Sequence, residues 1–486
     1  MDKSIENLKP QGVWKIFKDI CSIPHPSKHE EKIREYVVDF AKKNNIEYEV
    51  DKIGNVIMRK PATPGYENRK GLILQAHLDM VPQKNGDKNF DFLKDGIEAY
   101  IDGDWVTADG TTLGADNGMG VASILYIMEN NDLKHGPLEA LLTIDEETGM
   151  TGANHLAPDT LKGDILLNLD SEDEGEMYVG CAGGVDLAAK IKYTLEDAPS
   201  GYGAYRISIS GLKGGHSGME INLQRGNSNK IMGRLLNSVN EHYDMRLVKA
   251  AGGNMRNAIP REAEAEILIS EKDANKALAK LQDTITDIRN ELREVENSII
   301  IEVTPVEMPA KVVDRKAQNI LIESILAVAN GVNRMSDDMP GLVESSSNMG
   351  IVAMKDGFFE LYFLIRGSVD SGKDLLAERI AAVFKLSGSE TKLSGGYPGW
   401  QPNLDSPILK RIQEIYNKLF GRIPEIKGVH AGLECGIIGG IYPNLDMISF
   451  GPTIRFPHSP DEKVNIESVE KFVKLLEAVV QDAPVK

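Results

Sequence analysis

Two hydrophobic rhythms alternate along the first part of the chain. Short apolar runs at Leu72–Gln75, Leu141–Ile144 and Ile165–Leu169 have the continuity of strands buried on both faces. Segments of helical period lie around them, such as Ile33–Lys43 and Met119–Glu129. The alternation predicts an α/β domain. From about residue 186 the pattern changes to strand Tyr205–Ser210, a glycine-rich turn, helix Asn227–Val239, strand Ala263–Ser270 and helix Asp273–Asn290. A similar order recurs from about Val303: helix Ala317–Ala329, a turn at Ser345–Asn348, strand Glu360–Arg366 and helix Ser371–Leu386. We read this as an internal duplication. The segment Ser387–Gly399 marks a return to the first domain, which closes with strand Met447–Phe450 and helix Ile466–Gln481. The expected organisation is one domain of residues 1–186 and 389–486, interrupted by an insertion of residues 187–388.

Charge and cysteine content narrow the partners. The 55 basic and 73 acidic residues give a formal −18, which repels phosphate backbones and anionic lipid, so neither nucleic acid nor a membrane is an expected partner. The first residues lack the apolar core of a signal peptide, and no apolar run approaches the roughly 20 residues needed to span a bilayer, so the cytoplasm is the expected compartment. Cys21, Cys181 and Cys435 are too few and too scattered for a disulfide framework or a thiolate metal site.

The chemistry lies in five separated segments. Gln75-Ala76-His77-Leu78-Asp79, Asp145-Glu146-Glu147 and Asn168-Leu169-Asp170 each end an apolar strand, where ligands of open α/β sheets bind. Ala115-Asp116-Asn117-Gly118 opens a helix between glycines, and Phe456-Pro457-His458-Ser459 is a rigid turn. Taken singly, each has a bland reading: His77 as a structural histidine, Asp116 as a helix cap, Glu146 and Glu147 as surface glutamates. Together, two imidazoles and several carboxylates form a donor set for two divalent cations, zinc foremost, with cobalt and manganese also suited to it. Asp79, two residues past His77, is placed to accept the second imidazole N–H. Glu146 and Glu147, adjacent at a strand end, are expected to diverge, so that one binds metal while the other takes a proton from the attacking water. Glu172, Asp173, Glu174 and Glu176 read as a solvated turn. Two carboxylates ~4 Å apart repel by roughly 4 kcal/mol at an effective dielectric near 20, so gathering Asp116, Glu147 and Asp170 requires cations.

These segments, in this order and with this insertion, resemble the dinuclear zinc exopeptidases that include carnosinase, aminoacylase and carboxypeptidase G. The resemblance covers nearly the whole chain. It implies a catalytic domain with a mixed β-sheet flanked by helices, plus an inserted α+β lid domain. It also implies His77 and Asp170 on one metal, Glu147 and His458 on the other, Asp116 bridging both, Glu146 as general base and Asp79 as the catalytic partner of His77. Gly214-Gly215-His216-Ser217-Gly218 is similar to the family's oxyanion-stabilising turn, which gives His216 that role. Asn257, Arg366 and Gly432 resemble positions that bind the substrate's carboxylate end, with a surface salt bridge as the competing reading of Arg366. Asp116-Asn117-Gly118 departs from the Asp-Asp-Lys-Gly form common in the family while keeping the bridging aspartate.

The long doubled insertion most resembles that of the dipeptidase branch of the family, a resemblance that implies Xaa-His and carnosine-like dipeptides as substrates. An N-acyl-amino-acid deacylase or a tripeptidase would use the same metals and base. A non-catalytic carrier of metal or peptide would have no need of Glu146. Phosphate binding at Gly114–Gly120 lacks the Lys-Ser/Thr of a P-loop. A doubled insertion could complete the site within one chain, where dimeric relatives use a partner subunit, so either a monomer or a homodimer is compatible with it.

Overall fold

The computed structural model describes residues 4–486, which form two compact units. One comprises residues up to Gly180 with Pro402–Gly428 and Leu433–Lys486; the other comprises Cys181–Gln401 with Val429–Gly432.

In the first unit an eight-stranded sheet runs in the order Glu47–Val50, Val56–Lys60, Leu138–Thr143, Leu72–His77, Ile165–Asn168, Asp446–Ser449, Glu176–Cys181, Glu425–Val429. The four central strands, from Leu138–Thr143 to Asp446–Ser449, are mutually parallel, and their neighbours are antiparallel, so the sheet is mixed. Leu138–Thr143, Leu72–His77 and Ile165–Asn168 are buried at every position, which explains their unbroken apolar runs. Helix Gln11–Cys21 packs on helix Ala115–Glu129, which is buried almost all round; a Cβ at Gly118 would lie 3.0 Å from the Phe17 ring. Helix Ile466–Gln481 starts where the Asn465 side chain accepts the Ser468 N–H at 2.9 Å, and it buries Val469, Phe472, Val473, Leu476 and Val480. A smaller four-stranded sheet, Ile454–Arg455, Lys463–Asn465, Trp105–Ala108 and Ala99–Asp102, holds the hairpin that contains His458.

The second unit is built on a nine-stranded sheet. Tyr202–Ser210, Ser228–Asn240, Met245–Gly252, Ala263–Ser270, Ala274–Leu292 and Ile300–Pro305 follow one another as β-α-β-β-α-β. The same order recurs in Gly183–Lys192, Arg315–Ala327, Val343–Lys355, Phe358–Gly367, Asp370–Leu386 and Glu390–Tyr397. In both sets the strands lie fourth, first, third, second across the sheet, and the second strands meet at the pair Gly252↔Val352. The helices cover one continuous core that includes Leu235, Leu281, Leu321 and Phe384.

Three expectations are corrected here. The second set takes its first strand, Gly183–Lys192, from before the first set, so the repeat does not begin at Val303. Ser387–Gly399 does not return to the first unit: Glu390–Tyr397 pairs with Gly183–Lys192, and the return comes at Pro402. Ser345–Asn348 is no turn but lies inside the strand Val343–Lys355. Its alternate side chains are taken up on two faces: Ser347 Oγ donates to Ala329 O at 2.7 Å, while Ser346 Oγ pairs with His430 Nε2 at 2.7 Å.

Candidate active site

His77, at the end of Leu72–His77, is fully buried, and its Nδ1 lies 3.0 Å from Asp79 O and 3.3 Å from Asp79 Oδ1. The proton is thereby held on Nδ1, and the Nε2 lone pair faces outward from that contact. Nε2 is 3.2 Å from Asp116 Oδ1 and 3.2 Å from Asp170 Oδ1. His458 Nε2 lies 3.2 Å from Asp116 Oδ2 and 3.0 Å from Glu147 Oε1. Each imidazole nitrogen thus faces two carboxylate oxygens, and Asp116 offers one oxygen to each. One N–H shared between two acceptors is poorly aligned with both, whereas a cation binds both fully. Two donors each about 2.05 Å from a tetrahedral zinc stand roughly 3.3 Å apart, so the donor set fits two such ions sharing Asp116.

Local structure explains the convergence. Gly114, with φ +72°, turns the chain into the helix, and Asp116 keeps a non-helical backbone (φ −85°, ψ 103°) that sets its carboxylate off the helix axis. The Asn117 amide donates to Asp170 Oδ1, so the asparagine orients a candidate ligand. A Cβ at Gly120 would lie 2.7 Å from Leu169 O, so glycine there lets the helix approach the Asp170 segment. His458 itself sits at φ +58°, a left-handed conformation costly for a non-glycine residue and concentrated at functional turns.

Glu146 and Glu147 are not on a strand: Leu138–Thr143 ends before them, and Glu146–Gly149 is a short helical turn. Neighbouring side chains therefore fan about 100° apart rather than to opposite faces. The difference in position survives, because Glu147 meets His458 while a Glu146 oxygen groups with His77 and Glu147. Asp79 Oδ1 and Oδ2 accept the backbone N–H groups of Glu146 at 3.0 Å and Glu147 at 3.3 Å.

The protein's own charges are unbalanced here. Burial opposes a proton on His77, but Asp170, Asp116 and Asp79 outweigh it and raise its pKa well above the usual value. Asp116 and Glu147 push His458 up to about 11. Burial raises Glu146 well above the ordinary carboxylate range, with Asp170, Glu147 and Glu434 adding to it against His77.

Among the buried glutamates of this unit that escaped the sequence reading are Glu434 and Glu462. Glu434 accepts from Gln75 Nε2 at 2.6 Å and Thr143 Oγ1 at 2.7 Å, beneath the ends of the central strands, and its Oε1 has no hydrogen-bond partner. A lone acid inside the apolar run Gly432–Ile441 was its signal. Glu462 accepts four backbone N–H groups from Leu113 to Asp116. Its neighbours Asp461 and Lys463 make it read as surface. The acidic segment after Asp170 is also more than a solvated turn: Glu174 binds Tyr416 and Arg422, and Asp173 binds Arg455 at 2.6 Å.

In the second unit, His216 pairs through Gly215–His216 with Ala258–Ile259, next to Asn257, whose carbonyl accepts the Ser217 N–H at 2.9 Å. The N–H groups of Gly218 and Met219 donate to His216 Nδ1 at 3.2 and 3.0 Å, which puts the ring proton on Nε2. Burial, with Arg366 beside it, lowers the His216 pKa and keeps the ring neutral. Arg366 is 5% exposed, donates to Tyr397 Oη at 3.1 Å, and leaves Nε without a partner. Its Nη2 lies 3.5 Å from His216 Nε2, so two donors face one another, and no acidic side chain among the described residues pairs with the guanidinium. Asn348 donates to the carbonyls of Arg256 at 3.1 Å and Ala258 at 2.8 Å, clamping both sides of Asn257. Gly432 follows His430 in the short stretch Val429–Gly432 that belongs to this unit.

Residues 73–482 match the model of Peptidase family M20/M25/M40, and the chain belongs to that family of peptidases. Among its relatives, it is 48% identical over 483 residues to the cytosol non-specific dipeptidase of Escherichia coli (strain K12), with 99% of both chains covered. It is similar throughout to the aminoacylhistidine dipeptidase of Vibrio alginolyticus, with 46% identity, a TM-score of 0.95 and coverage of 100% of this chain and 99% of the other. The aminopeptidase PepT of Bacillus cereus shares the fold at 14% identity and a TM-score of 0.58, with 98% of each chain covered. Among the described residues no helix is long and apolar enough to cross a membrane.

Proposed function

We propose that this protein is a dipeptidase dependent on two divalent cations, Zn2+ foremost, that hydrolyses Xaa-His and other dipeptides in the cytosol. The observation that carries the reading is that both imidazole Nε2 atoms face two carboxylate oxygens each and share Asp116. The names of the Escherichia coli and Vibrio alginolyticus relatives, a cytosol dipeptidase and an aminoacylhistidine dipeptidase, agree with it.

His77 and Asp170 would hold one cation, His458 and Glu147 the other, and Asp116 both. The bound pair supplies Lewis acidity toward water and the peptide carbonyl. Glu146, close to the ligands and outside both ligand pairs, removes the proton from the attacking water and returns it to the leaving amine. Asp79 fixes the tautomer and orientation of His77. His216, with its proton on Nε2, presents a donor suited to the oxygen that gains charge on attack. Arg366, a buried cation without a carboxylate partner, takes the free C-terminal carboxylate, with Asn257 and Gly432 beside the same end of the substrate.

The test is turnover by metal-loaded protein on a panel of carnosine, Xaa-His dipeptides, other dipeptides, tripeptides and N-acyl amino acids. Dipeptides should be cleaved fastest, and Glu146→Ala should abolish cleavage while two cations remain bound. Preference for N-acyl amino acids or tripeptides would reassign the substrate class; no turnover with both cations bound would make the protein a carrier.

A further inference from the structure

We propose that Glu462 is the positioning residue of the two-cation site, setting the bridging carboxylate of Asp116 for both ions at once. The proposal rests on the assignment of Asp116 as the shared ligand. Glu462 is 2% exposed and lies in the loop between Ile454–Arg455 and Lys463–Asn465, the same loop that carries His458. Its Oε2 accepts the N–H groups of Leu113 at 2.8 Å and Gly114 at 3.0 Å, and its Oε1 those of Ala115 at 2.8 Å and Asp116 at 3.2 Å. Four consecutive backbone donors thus converge on one carboxylate.

Two features make that convergence specific. Gly114 holds φ +72°, which curls the segment so that successive N–H groups face one point. A Cβ there would lie 3.0 Å from the Met80 sulfur, so packing as well as φ favours glycine at this position. Carboxylate acceptors of backbone N–H groups make charge-assisted bonds roughly twice as strong as neutral ones. The last donor is the N–H of Asp116 itself, so Glu462 fixes the residue whose Oδ1 faces His77 and whose Oδ2 faces His458.

A glutamate that merely braced the His458 loop would affect the His458 ion alone. One that sets Asp116 affects both. The experiment is a titration of the metal-stripped full chain with Co2+, followed by its visible absorption and by calorimetry, which resolves the two binding steps without any peptidase assay. Wild-type protein should bind two ions, and His458→Ala should weaken one step only. Glu462→Gln replaces one acceptor by an NH2 group facing two N–H donors, and it should weaken both steps roughly ten- to a hundredfold. Glu462→Asp keeps both acceptors on a shorter stem and should weaken both steps by less. Circular dichroism reports whether each metal-free variant is folded; if the Gln variant is not, the Asp variant decides. Wild-type affinity at both steps in a folded variant, or a loss confined to one step, overturns the proposal. A wild-type chain that binds fewer than two ions would instead refute the assignment of the ligands, which keeps the two failures apart.

Discussion

Asp79 Oδ1 accepts the backbone N–H of Glu146 at 3.0 Å, while the same carboxylate and its own main-chain oxygen hold His77 Nδ1. A single buried aspartate therefore ties one proposed ligand, His77, to the turn that carries both the proposed base and a second proposed ligand, Glu147. Asp79 is shut off from solvent, so its carboxylate is held by these donors and by Ser27 rather than by bulk water.

The first prediction follows from that tie. Asp79→Asn keeps the shape but places an NH2 group against either His77 Nδ1–H or the Glu147 N–H. Metal affinity on the His77 side should fall roughly ten- to a hundredfold, and kcat should fall with it. A chelator titration alongside steady-state kinetics separates the two effects; an unchanged affinity would mean that His77 is held by something else.

The two adjacent glutamates should separate cleanly. Glu146→Gln should lose about 10²–10⁴ in kcat while the protein keeps two cations, because a base is removed and no ligand is. Glu147→Gln should lose the cation that His458 shares. Elemental analysis of dialysed variants, set beside kcat, tells them apart, and equal metal loss in both would cancel the division of labour.

The residues of the candidate site were legible as a group because they stand at the ends of apolar strands or in a turn rigidified by proline. His77, Glu146, Glu147 and Asp170 follow strands whose burial on both faces leaves an unbroken apolar signature. What escaped was whatever acts through the backbone of a distant segment. Glu462 bonds to Ala115, 347 residues earlier, and no local pattern records that contact. Asn117 looked like a substitution within a motif, yet its amide orients Asp170. Ser345–Asn348 read as a turn because four small polar residues carry no strand alternation. In the fold, Ser346 supports His430 and Asn348 clamps the carbonyls that flank Asn257. The polarity of that strand belongs to the candidate substrate site rather than to solvent.

Arg366 supplies a prediction on substrate chemistry. A buried guanidinium with a free Nε and a donor opposite it favours an anion, and on the proposed function that anion would be a dipeptide's C-terminal carboxylate. Arg366→Ala should lower kcat/KM for free dipeptides about 10- to 100-fold, the size of one or two charged hydrogen bonds, and should leave dipeptide amides, already poor substrates, nearly unchanged. An equal loss on acid and amide would assign Arg366 a purely structural role.

Glu434 gives a pH dependence whose sign can be worked out. Burial pushes its carboxyl up to about 7, with His77 and Thr143 opposing and Asp170 and Asp79 adding to the rise. Because the folded protein holds this proton more tightly than the unfolded chain, whose carboxyl titrates near the ordinary 4.5, the stability it confers is complete below that value. It declines as pH rises and is gone above about 7. Glu434→Gln cannot ionise and preserves hydrogen-bonding groups for Gln75 and Thr143. In metal-stripped protein the variant and the wild type should therefore unfold at similar urea concentrations near about pH 4, and the variant should be more stable by on the order of 2 kcal/mol near about pH 8. Loading both cations should shrink that gap, since positive charge near the strand ends favours the carboxylate. A gap that is constant from acid to alkaline pH would show that Glu434 binds its proton equally well in the folded and unfolded chain, so that burial does not raise its pKa.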